Sequence, residues 1–130
     1  TRLVSTRIER DFRLGLLNAE NPVSLRVIGE ASAARFAPNG KIYFSSNMSG
    51  NDEIWSVNAD GGGLRQLTNS PAGDASMAVS PDSSSVFFSS NRTGTVQIWR
   101  MDQDGANQTQ ITDREGGFPL FVSPDNQWVY

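Results

Sequence analysis

Pro38, Pro81 and Pro124 stand 43 residues apart, each inside a version of one short phrase: FAPNGK, VSPDSS and VSPDNQ. The copying runs well past the prolines. YFSSNMSGNDEIW, residues 43–55, returns as FFSSNRTGTVQIW, residues 87–99. Asn47 then aligns with Asn91, Gly50 with Gly94 and Trp55 with Trp99. Asp60-Gly61 follows as Asp104-Gly105, and Leu67-Thr68 as Ile111-Thr112. Between Asn47 and Thr68 the offset is 44, because PDSSSVFF is one residue longer than PNGKIYF. Residues 3–18 lie over residues 87–102 at a constant offset of 84, as a worn copy in which Arg10 stands where the glycines stand.

A period in the low forties belongs to four-stranded propeller blades or to some helical arrays. The local pattern decides between them. KIYFSS, SVFFSS, EIWSVN and QIWRMD are short runs of β-branched, aromatic and other apolar residues, and Gly, Asn, Asp, Ser and Pro interrupt them every few residues. None reaches the length of a helix. Each unit reads as four strands. Strand a is SAARFA, SMAVS or PLFVS; strand b is KIYFSS or SVFFSS; strand c is EIWSV or QIWRM; strand d is LRQLT or QTQIT. The Asp-Gly pairs between c and d predict type I′ turns, with positive φ at both central residues. At the a–b turn only Asn39-Gly40 keeps a glycine. Ser83 and Asn126 replace it, and serine tolerates positive φ poorly.

Ile42-Tyr43-Phe44 and Val86-Phe87-Phe88 are consecutive apolar residues. A sheet wetted on one face alternates; one covered on both faces need not. Blades stacked between blades explain both the runs and the repetition. The expected fold is all-β, of four-stranded antiparallel propeller blades. The units are approximately 1–31 (strands b, c, d), 32–74, 75–117 and 118–130 (strands a, b), about three blade-equivalents. Such a chain is either part of a longer propeller or half of a six-bladed ring closed by a second copy.

The chemistry on offer is narrow. There is no cysteine and no histidine, which removes disulfides, thiol nucleophiles and the commonest general base and metal ligand. No G-x-S-x-G elbow is present. Net charge is −3, unlike a basic nucleic-acid binder. Arg2, Arg7, Arg10 and Arg13 are offset by Glu9 and Asp11, the pattern of solvated strands. Asp60-Gly61-Gly62-Gly63 lacks the strand-to-helix setting of a phosphate cradle. The loop starting at Asp102 has Asn107 and Asp113 where a calcium loop needs glycine and glutamate. Both read as turns. Trp55 and Trp99 recur as packing residues do, whereas Arg100 faces Ser56 in the alignment and is free of that demand. Asn47, Asn91 and Asn107 head N-x-[ST] triplets, which matter only in a glycosylating host. Catalysis, cofactors and metals are not expected.

The phrases SPD at 80–82 and 123–125, FSSN at 44–47 and 88–91, IW in strand c, and DG followed by LT or IT resemble the WD40-like repeats of TolB-like β-propellers. The resemblance is specific over 32–130 and weak over 1–31. It implies a six-bladed relative and a non-catalytic scaffold or sensor that binds protein or peptide partners, without nucleic acid or membrane insertion. It also implies a periplasmic or other extracytoplasmic setting, with a cytoplasmic one as the alternative. A second reading is the propeller domain of a serine peptidase resembling prolyl oligopeptidases, gating a hydrolase domain elsewhere. In propellers strand a lines the central channel, which points to Ala34–Phe36, Met77–Val79 and Leu120–Val122. Arg35, Asp74 and Met77 are the candidate partner-binding residues.

Overall fold

The computed structural model describes residues 31–130 in full, together with the backbone of 2–8, 11–17 and 25–30. Eleven strands appear among the described residues: β1 (Arg2–Ile8), β2 (Asp11–Leu17), β3 (Leu25–Glu30), β4 (Ala33–Phe36), β5 (Lys41–Ser46), β6 (Glu53–Asn58), β7 (Arg65–Gln66), β8 (Asp74–Val79), β9 (Ser85–Ser90), β10 (Gln97–Asp102) and β11 (Thr109–Gln110). They form three antiparallel sheets in chain order: β1-β2-β3, β4-β5-β6-β7 and β8-β9-β10-β11. The two four-stranded sheets are all-β blades, as the repeat implies. The side chains of the amino-terminal arginines, Glu9 and Asp11 lie outside the described residues.

The outer strands β7 and β11 are only two residues long. PLFVS forms no strand. It bends back on the chain end through a single bridge, Val122 to Val129, and Phe121 stacks on Tyr130 with ring centroids 4.7 Å apart. Among the described residues there is no helix long and apolar enough to cross a membrane.

The consecutive apolar residues are resolved by the pleat. Adjacent side chains on a strand point to opposite faces. Tyr43 packs with Ile54, Leu67, Met77, Val86, Phe88 and Met101 in the core between the two blades. Its neighbours Ile42 and Phe44 turn the other way and pack with Val57, Trp55 and Ala34. Tyr43, Phe44, Ile42 and Phe88 are all fully buried. Equivalent positions face equivalent directions: Trp55 and Trp99 lie on corresponding faces of their blades, opposite Phe44 and Phe88 respectively.

The c–d turns differ from the expected type I′. Asp60 and Asp104 do not adopt positive φ; within each Asp-Gly pair only the glycine does, and a second left-handed residue follows two places on, Gly63 and Asn107. Gly61 N–H bonds Asn58 C=O and Asn58 N–H bonds Gly62 C=O, with the same pattern at Gly105, Asp102 and Ala106. This is an ordinary turn followed by a left-handed residue, the geometry of a longer hairpin loop. At the a–b turn all three equivalents are left-handed, with φ of 77° at Gly40, 60° at Ser83 and 59° at Asn126. The geometry survives the loss of glycine because the turn is tied elsewhere. Ser80 Oγ donates to Asp82 and accepts from Ser85 N–H, and Ser123 repeats this with Asp125 and Trp128 N–H.

Candidate functional site

The residues proposed to line the channel part company in the structure. Arg35 is exposed on β4, and among the described residues its guanidinium bonds only its neighbour's carbonyl, Ala34 C=O at 3.0 Å. Phe36 beside it is exposed as well. Met77 is fully buried in the core between the blades, and Asp74 is fully buried at the start of β8. Leu120 and Phe121 are exposed and Val122 is buried. Of the three candidates only Arg35 has an exposed side chain.

Asp74 is held by a feature that the repeat does not show. The β8–β9 register slips between Ala75 and Met77, leaving Ser76 as an extra residue with φ of 39°. Such a bulge reverses the side-chain alternation on one side of it. Asp74 therefore pairs with Ser90 and shares the inner face with Met77, while Ala75 pairs with Ser89 and faces the opposite side. β4 pairs with β5 without a bulge.

On the inner face the Asp74 carboxylate meets the Arg92 guanidinium. Arg92 also donates to Ser90 Oγ at 2.9 Å and to Gln108 Oε1 at 2.7 Å. Its guanidinium carbon lies 4.7 Å from the Trp99 ring centre and 5.4 Å from that of Phe88. Gln108 in turn donates to Leu67 C=O of the preceding blade. Burial pushes the Asp74 carboxyl above the ordinary carboxylate range, against the Ser90 hydroxyl and the Arg92 charge. One of its oxygens, Oδ1, is buried without a hydrogen-bond partner among the described residues. The group fastens a blade internally and is closed to partners.

On the outer side of the bulge lies an open crevice of about 190 Å³. Gly73, Ala75, Ser89, Ser90 and Asn91 line it. Asp52, from the loop between β5 and β6, also lines it, as do Val96 and Phe118. Asp52 is tied down by its backbone, since its carbonyl accepts Asp74 N–H at 2.7 Å, and its carboxylate stays exposed. Phe118 is 62% exposed. Sequence reasoning missed this crevice, because the bulge that builds it leaves no mark in SMAVS.

A second open hollow, of about 510 Å³, lies at the other end of the blades among Lys41, Ser84, Arg100, Asp102, Gln103 and Asp104. Two of its four charged side chains pair with each other. Arg100 bonds Ser85 Oγ at 2.9 Å and lies 3.6 Å from Asp102. No group of three or more acidic side chains placed to hold a metal ion occurs among the described residues.

The family model of the TolB β-propeller domain matches residues 17–129. The chain belongs to the TolB β-propeller family. Among solved structures, a protein assigned as TolB from Agrobacterium tumefaciens is 25% identical, with a TM-score of 0.76 over 95% of this chain and 46% of its own. TolB from Acinetobacter baumannii is 22% identical, with a TM-score of 0.74 over 96% of this chain and 33% of its own. A puromycin-hydrolysing peptidase of Mycobacterium tuberculosis shares the fold at 14% identity, with a TM-score of 0.62 over 80% of this chain and 18% of its own. This TolB-family chain thus spans less than half the length of the TolB structures that it matches. A search of curated proteins finds no match.

Proposed function

We propose that this chain is a non-catalytic propeller segment that binds protein or peptide partners in an extracytoplasmic setting. The observation that carries the reading is the crevice beside the β8 bulge, where polar groups and exposed apolar edges converge on a space of about 190 Å³. Pockets for drug-sized ligands are larger, roughly 300–1,000 Å³. The crevice has room for one side chain of an extended peptide. Blade faces are committed to packing against each other, so loops and inner strands remain for recognition. The membership in the TolB family supports both the binding role and the compartment.

The test is a random peptide library displayed on phage and panned against the immobilised chain, with selected peptides titrated in solution. Saturable binding of selected peptides is expected. A library that yields no enrichment overturns the reading. The peptidase-propeller reading rests on a likeness of fold alone, at 14% identity.

The segment 120–130 exposes Leu120, Phe121, Trp128 and Tyr130. Apolar surface of that kind favours association, and pairing of two copies into a six-bladed ring is part of the proposal. Light scattering behind a sizing column tests it. A mass near twice 14.2 kDa supports pairing and a monomer refutes it.

A further inference from the structure

We infer that the crevice between Asp52 and Phe118 is a subsite for a cationic side chain, with lysine as the fitting residue. The inference rests on the peptide-binding reading and names the partner chemistry at that site. Three features carry it. Asp52 lines the crevice with an exposed carboxylate, and no cationic side chain among the described residues lies within ion-pairing distance of it. Arg92, two residues from the lining residue Ser90, is turned to the other face and consumed by Asp74, Ser90 and Gln108. The site therefore carries a negative charge that its own blade leaves unanswered.

Further acceptors line the crevice. Ser89 Oγ spends its proton on Ala75 C=O at 2.8 Å, so only its lone pairs remain for a ligand. The Asn91 side chain is exposed and makes no hydrogen bond to the described residues. Asp52, Ser89 and Asn91 together offer acceptors to an ammonium, which has three donors and no acceptor.

Two other lining residues are large and apolar. Val96 is 40% exposed and Phe118 62%. A lysine buries its methylene stem on such a surface while its charge reaches a polar group, and an aromatic ring attracts a nearby cation. An anionic side chain would meet Asp52 with like charge. A neutral apolar one would leave the Asp52 carboxylate unused.

The test uses the full chain, labelled with nitrogen-15, and two capped tripeptides: acetyl-Gly-Lys-Gly-amide and its norleucine analogue, which keeps the stem and drops the charge. The lysine peptide is expected to shift the amides of Asp52, Ala75, Asn91 and Val96, and to bind roughly two- to fivefold more tightly than the analogue, the range of an exposed ion pair. Asp52→Asn is expected to erase that preference without disturbing the fold, because Asp52 holds Asp74 through its backbone carbonyl. Phe118→Ala is expected to weaken both peptides.

Equal binding of the two peptides, or an unchanged preference in Asp52→Asn, overturns the inference. Shifts confined to amides away from the crevice overturn it while leaving peptide binding intact. The same holds if neither tripeptide moves an amide while library-selected peptides bind. If the library also yields nothing, both readings fall.

Discussion

Glu53 and Gln97 occupy the same place at the start of strand c in successive blades, and each fastens the threonine of its own strand d. Thr68 Oγ donates to Glu53 Oε2 at 2.6 Å, and Thr112 Oγ donates to Gln97 Oε1 at 2.6 Å. Each threonine oxygen then accepts the next backbone N–H of strand c, Ile54 or Ile98, at 2.9 Å. The second oxygen of Glu53 accepts Ser70 N–H at 2.8 Å and the Asn51 amide at 3.1 Å. Gln97 instead donates its amide to Thr95 Oγ at 3.0 Å. The residue two places earlier is thus matched in sign: a donor, Asn51, beside the carboxylate, and an acceptor, Thr95, beside the amide.

That matching gives the first prediction. Glu53→Gln turns an NH2 toward donors that need an acceptor, inside a fully buried site. Leaving a buried polar group unpaired costs about 1–3 kcal/mol. Adding Asn51→Thr supplies the acceptor that Thr95 gives Gln97 but also removes the Asn51 bonds to Ser70 C=O and Ala72 C=O, so the double variant is expected to lose less than the sum of the two single losses. Urea denaturation of the two single variants and the double variant measures the coupling. Strictly additive effects would refute it.

The Asp74–Arg92 pair gives the second. Arg92→Ala leaves a buried carboxylate uncompensated, at a cost of about 3–5 kcal/mol. The pH dependence has a definite sign. Burial raises the folded-state pKa of Asp74 above its unfolded value, so the folded chain binds the proton more tightly. Between those two pKa values stability falls as pH rises. The wild type is therefore expected to gain on Asp74→Asn as pH drops from neutral into the ordinary carboxylate range. Asp82 and Asp125 act the opposite way. Hydroxyl bonds from Ser80 and Ser123 hold their pKa values down. Their contribution is present above the unfolded pKa and is lost as pH falls through the folded one. Chemical denaturation at a series of pH values, with all three Asp→Asn variants, separates the two signs.

The sequence reveals the blades because packing is repeated and a period of 43 exposes it. Ile42, Tyr43 and Phe44 reveal a two-sided core for the same reason. It does not reveal the crevice. The bulge at Ser76 is a single-residue event in a strand that reads like its neighbours, and it alone decides that Asp74 turns inward and Ala75 outward. Met77, two residues from Asp74, looked like a channel residue because strand a is the inner strand; the pleat sends it into the core. Arg35, read from the sequence only as a candidate channel residue, is exposed on β4, as a lone arginine in an alanine-rich strand has nowhere dry to go.

Ser83 gives the third prediction. It holds φ of 60°, a conformation that costs an L-residue about 1–2 kcal/mol. Ser83→Gly removes that strain but loosens the unfolded chain by about 0.4–1 kcal/mol. It also removes the oxygen that accepts Asn39 N–H at 3.2 Å. These effects nearly cancel, and the variant is expected to melt within a few degrees of wild type. Ser83→Val relieves nothing, loses the same bond and places a β-branched side chain at positive φ. It is expected to melt well below both. Thermal denaturation followed by circular dichroism checks the order, and a valine variant as stable as the glycine one would show that the turn is not left-handed.

Tyr43 gives the last. Its hydroxyl donates to Gln103 C=O at 3.2 Å and accepts from Asn39 at 3.4 Å, tying the a–b turn of one blade to the c–d turn of the next. The repeat places Phe87 at the matching position, where no hydroxyl exists. Tyr43→Phe therefore keeps the ring packing and loses a net hydrogen bond, about 0.5–1.5 kcal/mol at neutral pH. Burial raises the Tyr43 pKa above the ordinary tyrosine value. The unfolded chain ionises first as pH rises, so stability falls from near pH 10 upward through the folded pKa. Tyr43→Phe removes that alkaline loss, and the gap between the two proteins is expected to narrow as pH climbs through that range. Denaturation curves at neutral and alkaline pH measure the gap directly; a gap that widens would mean that the hydroxyl ionises more easily in the folded chain than in the unfolded one.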